Sequence, residues 1–156
     1  MSAWYSVLDA IADAVNPLLA LTAIVVIALD VRATRWGAVL RSALPTALGV
    51  GSIYGVWYAD RQLRLWQTYQ ADYSTHAAFA TTLIVSLLIL RPAWRALLLG
   101  VWAGYLTLIV VNRYHTVADV AVAAFVGFIV TLPWHLAARR LHLSGNAPPD
   151  RDNRPR

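Results

Sequence analysis

One polar stretch separates two long apolar runs in the second half of the sequence: Asn112-Arg113-Tyr114-His115-Thr116-Val117-Ala118-Asp119. In a helix, His115 and Asp119 would lie four residues apart on one face, so the carboxylate would accept a hydrogen bond from one ring nitrogen and leave the other free. A histidine held in this way acts as a nucleophile or a base. Because ionisable residues at the end of a membrane span are costly, the pair predicts a functional site more strongly than a simple helix cap.

The composition indicates a membrane protein. The chain has 156 residues, of which 59% are hydrophobic and 13% charged, and its mean hydropathy is +0.55; these values are outside the range of ordinary soluble domains. It contains no cysteine, which excludes disulfides, thiolate catalysis and thiolate metal sites. The net charge of +5 comes from arginines scattered between apolar segments, a distribution that favours membrane topology over nucleic-acid binding.

The apolar segments predict an all-α fold, a polytopic membrane helix bundle with about five transmembrane helices in a single domain over residues 1–143. A short amphipathic interfacial helix is predicted before the first span, over residues 3–14, and no basic segment precedes it as in a cleaved signal peptide. A disordered cytoplasmic tail is predicted over residues 144–156. The predicted spans are residues 16–29, 42–58, 74–90, 96–111 and 116–136.

Glycines at small-xxx-small spacing predict close contacts between helices. They occur as two pairs, Gly51 with Gly55 and Gly100 with Gly104.

The arginines predict the orientation of the spans. Five crossings put the termini on opposite sides, and seven arginines then fall on one side, which the positive-inside rule assigns to the cytoplasm: Arg32, Arg35, Arg41, Arg91, Arg95, Arg139 and Arg140. Arg61, Arg64 and Arg113 fall outside, in the loops that hold the polar stretches, and we therefore expect them to serve chemistry. His135 and His142 are predicted to contact lipid headgroups at the inner end.

A second polar stretch, Asp72-Tyr73-Ser74-Thr75-His76, begins the third span. One span inward, a tight turn and one span outward return the chain to the same face, so His76 and His115 are predicted to lie on one side of the membrane. Ser74 and Thr75 would lie at a helix N-terminus, where free N–H groups favour an anion. Ser74 alone also fits an ordinary N-cap. Arg61 and Arg64 share a helical face and either add positive charge to this site or form a solvated loop surface.

Residues 55–130 resemble the type 2 phosphatidic acid phosphatase superfamily of membrane lipid phosphatases and phosphotransferases. The second motif of that family reads Pro-Ser-Gly-His and its third ends in His-x-x-x-Asp; Tyr73-Ser74-Thr75-His76 and the segment from His115 to Asp119 occupy those places. The resemblance implies that His115 attacks phosphorus, that Asp119 orients it and that His76 protonates the leaving oxygen. It also implies that Arg113 and the backbone of Ser74 and Thr75 hold the phosphate oxygens.

The chain departs from the family pattern in its first motif, which contains a lysine, because this sequence has no lysine. Arg61 and Arg64 are the candidates to replace it. Thr75 stands where the second motif has glycine, and Tyr73 where it has proline. Arg113, two residues before His115, resembles the branch that includes inositol-phosphoryl transferases acting on ceramide.

The function expected from the resemblance is hydrolysis of a lipid phosphate or polyprenyl (di)phosphate through a phosphohistidine, at the outer face of the plasma (inner) membrane. One alternative is a headgroup phosphotransferase of the inositol-phosphorylceramide-synthase type, and another is a non-catalytic membrane subunit that binds anionic lipid. No cofactor or metal is expected. A zinc site from His76, His115 and Asp119 fits by ligand type, but the nearby arginines would repel a cation. The expected partners are the lipid substrate and the bilayer, without nucleic acid, and an oligomer is compatible with the sequence.

Overall fold

A computed structural model of the chain describes residues 3–69 and 71–145, and all regular structure in these ranges is helical. The prediction of an all-α fold is thereby confirmed. A π-helical turn, Val39–Ala43, joins the first two helices, and short 3-10 turns at Gln67–Tyr69 and Pro92–Trp94 precede the third and fourth. The five helices are α1 (Ala3–Ala38), α2 (Leu44–Leu63), α3 (Thr75–Leu90), α4 (Arg95–Val111) and α5 (Val117–Gly145).

Successive helices run in opposite directions between two ends of the bundle. At one end, here named the histidine end, the Tyr114 hydroxyl donates to Asp9 Oδ1 at 2.6 Å and the Asn16 amide donates to the His76 carbonyl at 3.4 Å. At the opposite end, Arg91 forms an ion pair with Asp30 at 2.6 Å. The first part of α1, the start of α3 and the α4–α5 connection therefore lie together.

Helix α3 is the centre of the bundle. It packs against α1, α2, α4 and α5, and most of its side chains between Ala77 and Leu87 are buried. A helix that is apolar on all sides is stable only when other elements or lipid surround it, which explains why this short helix takes the central place.

Helix α1 is continuous from Ala3 to Ala38, so the prediction of a separate interfacial helix over residues 3–14 is wrong. Pro17 removes one backbone hydrogen bond but lies on the exposed side. The buried side chains of α1 form one stripe at helical spacing on both sides of this proline, and packing of the stripe keeps the helix in one piece: Ala12, Leu19, Ala23 and Val26.

Residues 30–41, which separate the first two predicted spans, do not form the expected loop, because α1 extends to Ala38 and passes into the π-helical turn. Alanine and arginine are good helix formers, and Pro45 follows at the start of α2, where a proline is tolerated. Helices α3 and α4 begin and end within one residue of the predicted spans, whereas α2 and α5 extend beyond theirs. The predicted tail lies outside the described residues from position 146 onward.

Three helical segments are long and apolar enough to cross a membrane: Ser6–Arg32, Pro92–Val111 and Val117–Arg140. Helix α3 is apolar but shorter, over Thr75–Leu90. A membrane protein with transmembrane helices is therefore consistent with the structure.

The predicted glycine contacts are wrong. A Cβ atom at Gly51, Gly55, Gly100 or Gly104 would meet no atom within 4 Å. Close contact occurs instead at Gly127 of α5, where a Cβ would lie 2.7 Å from the Ala78 carbonyl oxygen of α3. The closer approach is thus made by one glycine of α5, which lies at small-xxx-small spacing from Ala123 and Thr131, and not by the two predicted glycine pairs.

Candidate active site at the histidine end

His76 and His115 line one cavity of about 380 Å³ at the histidine end of the bundle. The cavity lies among α1, the segment before α3, α4 and the α4–α5 connection. The structure therefore brings together the two histidines that the sequence placed on one side. Its other polar and aromatic lining residues are Asp13, Asp72, Tyr105 and Tyr114.

His115 lies in the connection before α5, which begins at Val117, so His115 and Asp119 do not share a helical face as predicted. The carboxylate beside His115 belongs to Asp72, whose Oδ2 is 3.6 Å from His115 Nδ1. The His115 side chain is 15% exposed and that of Asp72 is 80% exposed. Asp72 therefore contacts Nδ1 of His115 and not the second ring nitrogen, Nε2.

Asp119 is a buried structural carboxylate. Its Oδ2 accepts from the Thr116 backbone N–H at 2.9 Å and from the Thr116 hydroxyl at 2.7 Å, and the Asp119 N–H contacts the same hydroxyl oxygen at 3.2 Å. This reciprocal pair is a capping box at the start of α5. Asp119 Oδ1 accepts from the Asp72 N–H at 2.9 Å, so Asp119 holds the segment that carries Asp72 next to α5. The pattern Thr116-x-x-Asp119 was the sequence signal for this role.

Ser74 is the N-cap of α3, and its Oγ accepts from the Ala77 N–H at 3.4 Å. The side chain is fully buried, which corresponds to the ordinary cap that the sequence also allowed. Thr75 lines a neighbouring cavity of about 500 Å³ together with His76, Tyr54 and Trp57. His76 therefore borders two cavities, one on each side of the start of α3.

The three arginines predicted to hold phosphate do not line the cavity of His76 and His115. Arg61 lies over the Trp57 ring at 4.7 Å from its centroid. Arg64 ends α2 in the left-handed conformation, with φ of 51°, and Arg113 has φ of 58° in the α4–α5 connection. Both are exposed. A left-handed non-glycine residue is uncommon, and at Arg113 it accompanies the turn that brings His115 toward the cavity.

The segment before α3 is held in place by aromatic packing. Trp66 and Tyr73 meet edge to face with ring centroids 5.0 Å apart. The backbone N–H of Trp66 donates to Asp60 Oδ1 at 2.9 Å. Burial and the nearby Asp60 raise the pKa of the Tyr73 hydroxyl. A neutral, buried Tyr73 therefore anchors the chain immediately before Ser74 and positions its neighbour Asp72.

Sequence reasoning missed four residues of the cavity: Asp13, Asp72, Tyr105 and Tyr114. Asp9 and Asp13 lie four residues apart in an apolar helix, and this spacing on one face was the available signal. Asp9 accepts the Tyr114 hydroxyl at 2.6 Å, and this hydrogen bond raises the pKa of Tyr114. The lining is thus acidic and aromatic where the sequence predicted positive charge.

His135 does not lie at the membrane surface as predicted. It is 1% exposed, and its Nε2 lies 3.0 Å from the Ser86 hydroxyl of α3. One turn earlier, the Thr131 hydroxyl donates to Thr82 at 3.0 Å. These buried pairs join α5 to α3. The His142 side chain lies outside the part of the chain that the structure describes.

Among the described residues, no group of three or more histidine, aspartate or glutamate side chains is arranged to hold a metal ion. No protein-family model, curated protein or solved structure matches the chain. The residues and their geometry are therefore the basis for any proposal on function.

Proposed function

We propose that this chain is a membrane enzyme that hydrolyses a lipid phosphate or polyprenyl (di)phosphate through a phosphohistidine intermediate. The observation that supports the proposal is the shared cavity of His76 and His115. Asp72 faces Nδ1 of His115, and a carboxylate in that position favours the tautomer whose Nε2 lone pair is free to attack.

In the proposed reaction, Nε2 of His115 forms a bond to phosphorus as the bond from phosphorus to the lipid oxygen breaks. His76 gives its proton to the departing oxygen as a general acid. In the second step, His76 takes a proton from water, the water oxygen bonds to phosphorus, and the phosphorus–nitrogen bond breaks. The products are the lipid alcohol and phosphate, and both histidines return to their initial state.

The proposed arrangement in the membrane has five spans, with α2 and α3 crossing beside the three long apolar segments. The histidine end faces the outside, because Arg91, Arg95 and Arg139 lie at the opposite end and arginines are enriched on the cytoplasmic side. A cavity at the end of the bundle fits a phosphate at headgroup depth, with its lipid chain in the hydrocarbon region.

The test is phosphate release by the purified protein in lipid vesicles that contain a long-chain alkyl phosphate. We expect wild type to release phosphate and His115→Ala to release none above background, while Val122→Ala, a change on an exposed face of α5, keeps full activity. Because the phosphohistidine mechanism needs no metal ion, release should survive EDTA and be inhibited by vanadate. Loss of release in EDTA that zinc restores would contradict the mechanism.

The role of His76 predicts a dependence on the leaving group. A general acid contributes about 10²–10⁴ in rate when the departing oxygen is a strong base, and little when it is a weak base. His76→Ala should therefore lose far more activity on an alkyl phosphate than on an aryl phosphate. Equal losses on the two substrates, measured side by side, would exclude His76 as the acid.

The acidic lining favours a second candidate function, transfer of a phosphoryl-headgroup unit to a lipid alcohol. The carboxylates of Asp13 and Asp72 would repel the two negative charges of a phosphate monoester. A phosphodiester carries one negative charge, and an ammonium in its headgroup would bind beside these carboxylates. Assays with a phosphodiester lipid and a lipid alcohol separate the two functions, since only transfer makes a new phosphodiester.

A further inference from the structure

A third, larger cavity of about 750 Å³ lies between α4 and α5, over α3. Its floor is buried and includes Ile84 and Val85 of α3 and Ala124 of α5. Its walls are the half-exposed side chains of Leu99 on α4 and Phe128 on α5. Because the walls are open and the floor is closed, the cavity is a groove on the side of the bundle. We name it the α4–α5 groove.

The polar atoms in the lining of the α4–α5 groove are already paired. The Trp102 indole N–H donates to the Thr81 hydroxyl at 2.9 Å, which itself donates to the Ala77 carbonyl at 2.8 Å. The Thr107 hydroxyl donates to the Ala103 carbonyl at 2.8 Å. No charged residue belongs to the lining. The groove therefore offers apolar contact and no hydrogen bond to a ligand, which fits a hydrocarbon.

The dimensions of the groove match one lipid chain. On α5 its lining runs from Val117 to Phe128, and on α4 from Leu99 to Val110; eleven residue steps of a helix span about 16 Å. One leaflet of a hydrocarbon core is about 15 Å deep. The groove is therefore long enough for a hydrocarbon chain that crosses one leaflet.

One end of the groove lies at the histidine end of the bundle. Val110 and Val117 form its outer end, and they flank the connection that carries His115. We propose that the α4–α5 groove binds the aliphatic or prenyl chain of the lipid whose phosphate lies at His115. This inference rests on the proposed function for the position of the headgroup, and it adds that the substrate has a long chain reaching across one leaflet.

The experiment uses a hexadecyl phosphate with a photoreactive diazirine in mid-chain, added to the protein in phosphatidylcholine vesicles. After illumination, labelled peptides are mapped by mass spectrometry. We expect labels to concentrate on the groove walls of α4 and α5, above the level on other lipid-exposed faces. Uniform labelling of all apolar faces would show that the groove holds only bulk lipid and would overturn the proposal.

A matched pair of variants tests occupancy. Ala121 lines the groove and its neighbour Val122 does not. Each buried methylene strengthens binding by roughly fourfold, so Ala121→Trp, which fills part of the groove, should reduce its labelling by at least about tenfold. Val122→Trp should leave it unchanged. Equal labelling of the two variants would contradict the proposal, as would a dimer in vesicles that Ala121→Trp dissociates.

Two further measurements keep the outcomes separate. If Ala121→Trp fails to fold, competition on wild type replaces it: unlabelled hexadecyl phosphate should remove the groove label, and octyl phosphate at the same concentration should not. His115→Ala should bind the probe as wild type does. If the groove is labelled but neither wild type nor any variant releases phosphate, the proposed function alone is refuted. If labelling is uniform and Ala121→Trp releases phosphate as wild type does, the groove proposal alone is refuted.

Discussion

Asp72 and Asp119 have different positions around His115, although both are aspartates near it. Asp72 faces the His115 ring with an exposed side chain, whereas Asp119 is buried and accepts from Thr116 and from the Asp72 backbone. In the proposed reaction, a residue that contacts His115 affects catalysis directly. A residue that holds the connection in place affects both catalysis and stability.

Asparagine substitutions separate these two roles. Asp72→Asn should lower phosphate release by about 10²–10⁴, the contribution of orienting carboxylates, without a change in melting temperature. Asp119→Asn should also destabilise the protein, because the carboxylate accepts hydrogen bonds from Thr116 and from the Asp72 N–H, and a hydrogen bond to a charged group contributes about 1.5–3 kcal/mol. Both variants are compared by phosphate release and thermal unfolding in detergent. If only Asp119→Asn lost activity and its melting temperature stayed at the wild-type value, Asp119 would be the direct partner of His115.

The hydrogen bond between Tyr114 and Asp9, at the same end of the bundle, should make the stability of the protein depend on pH. The Asp9 carboxylate stabilises the protonated phenol and so raises the pKa of Tyr114. The stability from this contact is present below the ordinary tyrosine pKa of about 10 and is lost as the pH rises through the raised value. In Asp9→Asn the pKa of Tyr114 should fall toward the ordinary value. Ultraviolet titration of phenolate, with Tyr114→Phe as the blank, measures this, and identical titrations of wild type and Asp9→Asn would disprove it.

At the level of helices, the bounds that depend on local sequence signals were predicted accurately. The features that depend on tertiary contacts were not. The bounds of α3 and α4 follow from Ser74 as a cap and from the Arg91-Pro92 turn, which are encoded in a few residues. The continuity of α1 through Pro17 depends on packing against other helices, which periodicity alone does not reveal. The cavity could be predicted in part, since span lengths bring His76 and His115 together. The pairing of Asp72 with His115 could not, because it depends on where the capping box starts α5.

Glycine substitutions test which helix contact is close. Gly127→Ala places a methyl group 2.7 Å from the Ala78 carbonyl, and overpacking of this kind costs about 1–3 kcal/mol. Gly104→Ala meets open space and should stabilise α4 by about 0.5–1 kcal/mol through helix propensity. Thermal unfolding in detergent distinguishes the two variants. Equal melting temperatures would mean that α3 and α5 are not in tight contact at this glycine.

Across the whole molecule, the two ends of the bundle differ in their number of arginines. The Arg91–Asp30 ion pair and the cavity lined by Arg95 and Arg139 lie at one end, and the histidines with Asp13 and Asp72 lie at the other. An excess of arginine at one end favours insertion with that end in the cytoplasm. The proposed reaction then takes place at the outer surface, where a lipid phosphate would reach His115 from the outer leaflet.

The orientation can be measured because the natural chain has no cysteine. Single cysteines are introduced at Gln67, between α2 and α3, and at Ala93, between α3 and α4, both of which are exposed. With five spans, an impermeant maleimide added to intact cells should label Gln67→Cys at once and Ala93→Cys only after lysis. A permeant maleimide should label both and serves as the control. If α2 and α3 did not cross the membrane, both cysteines would lie on the same side and would be labelled alike. That result would contradict both the five-span arrangement and the outer location of the histidine cavity.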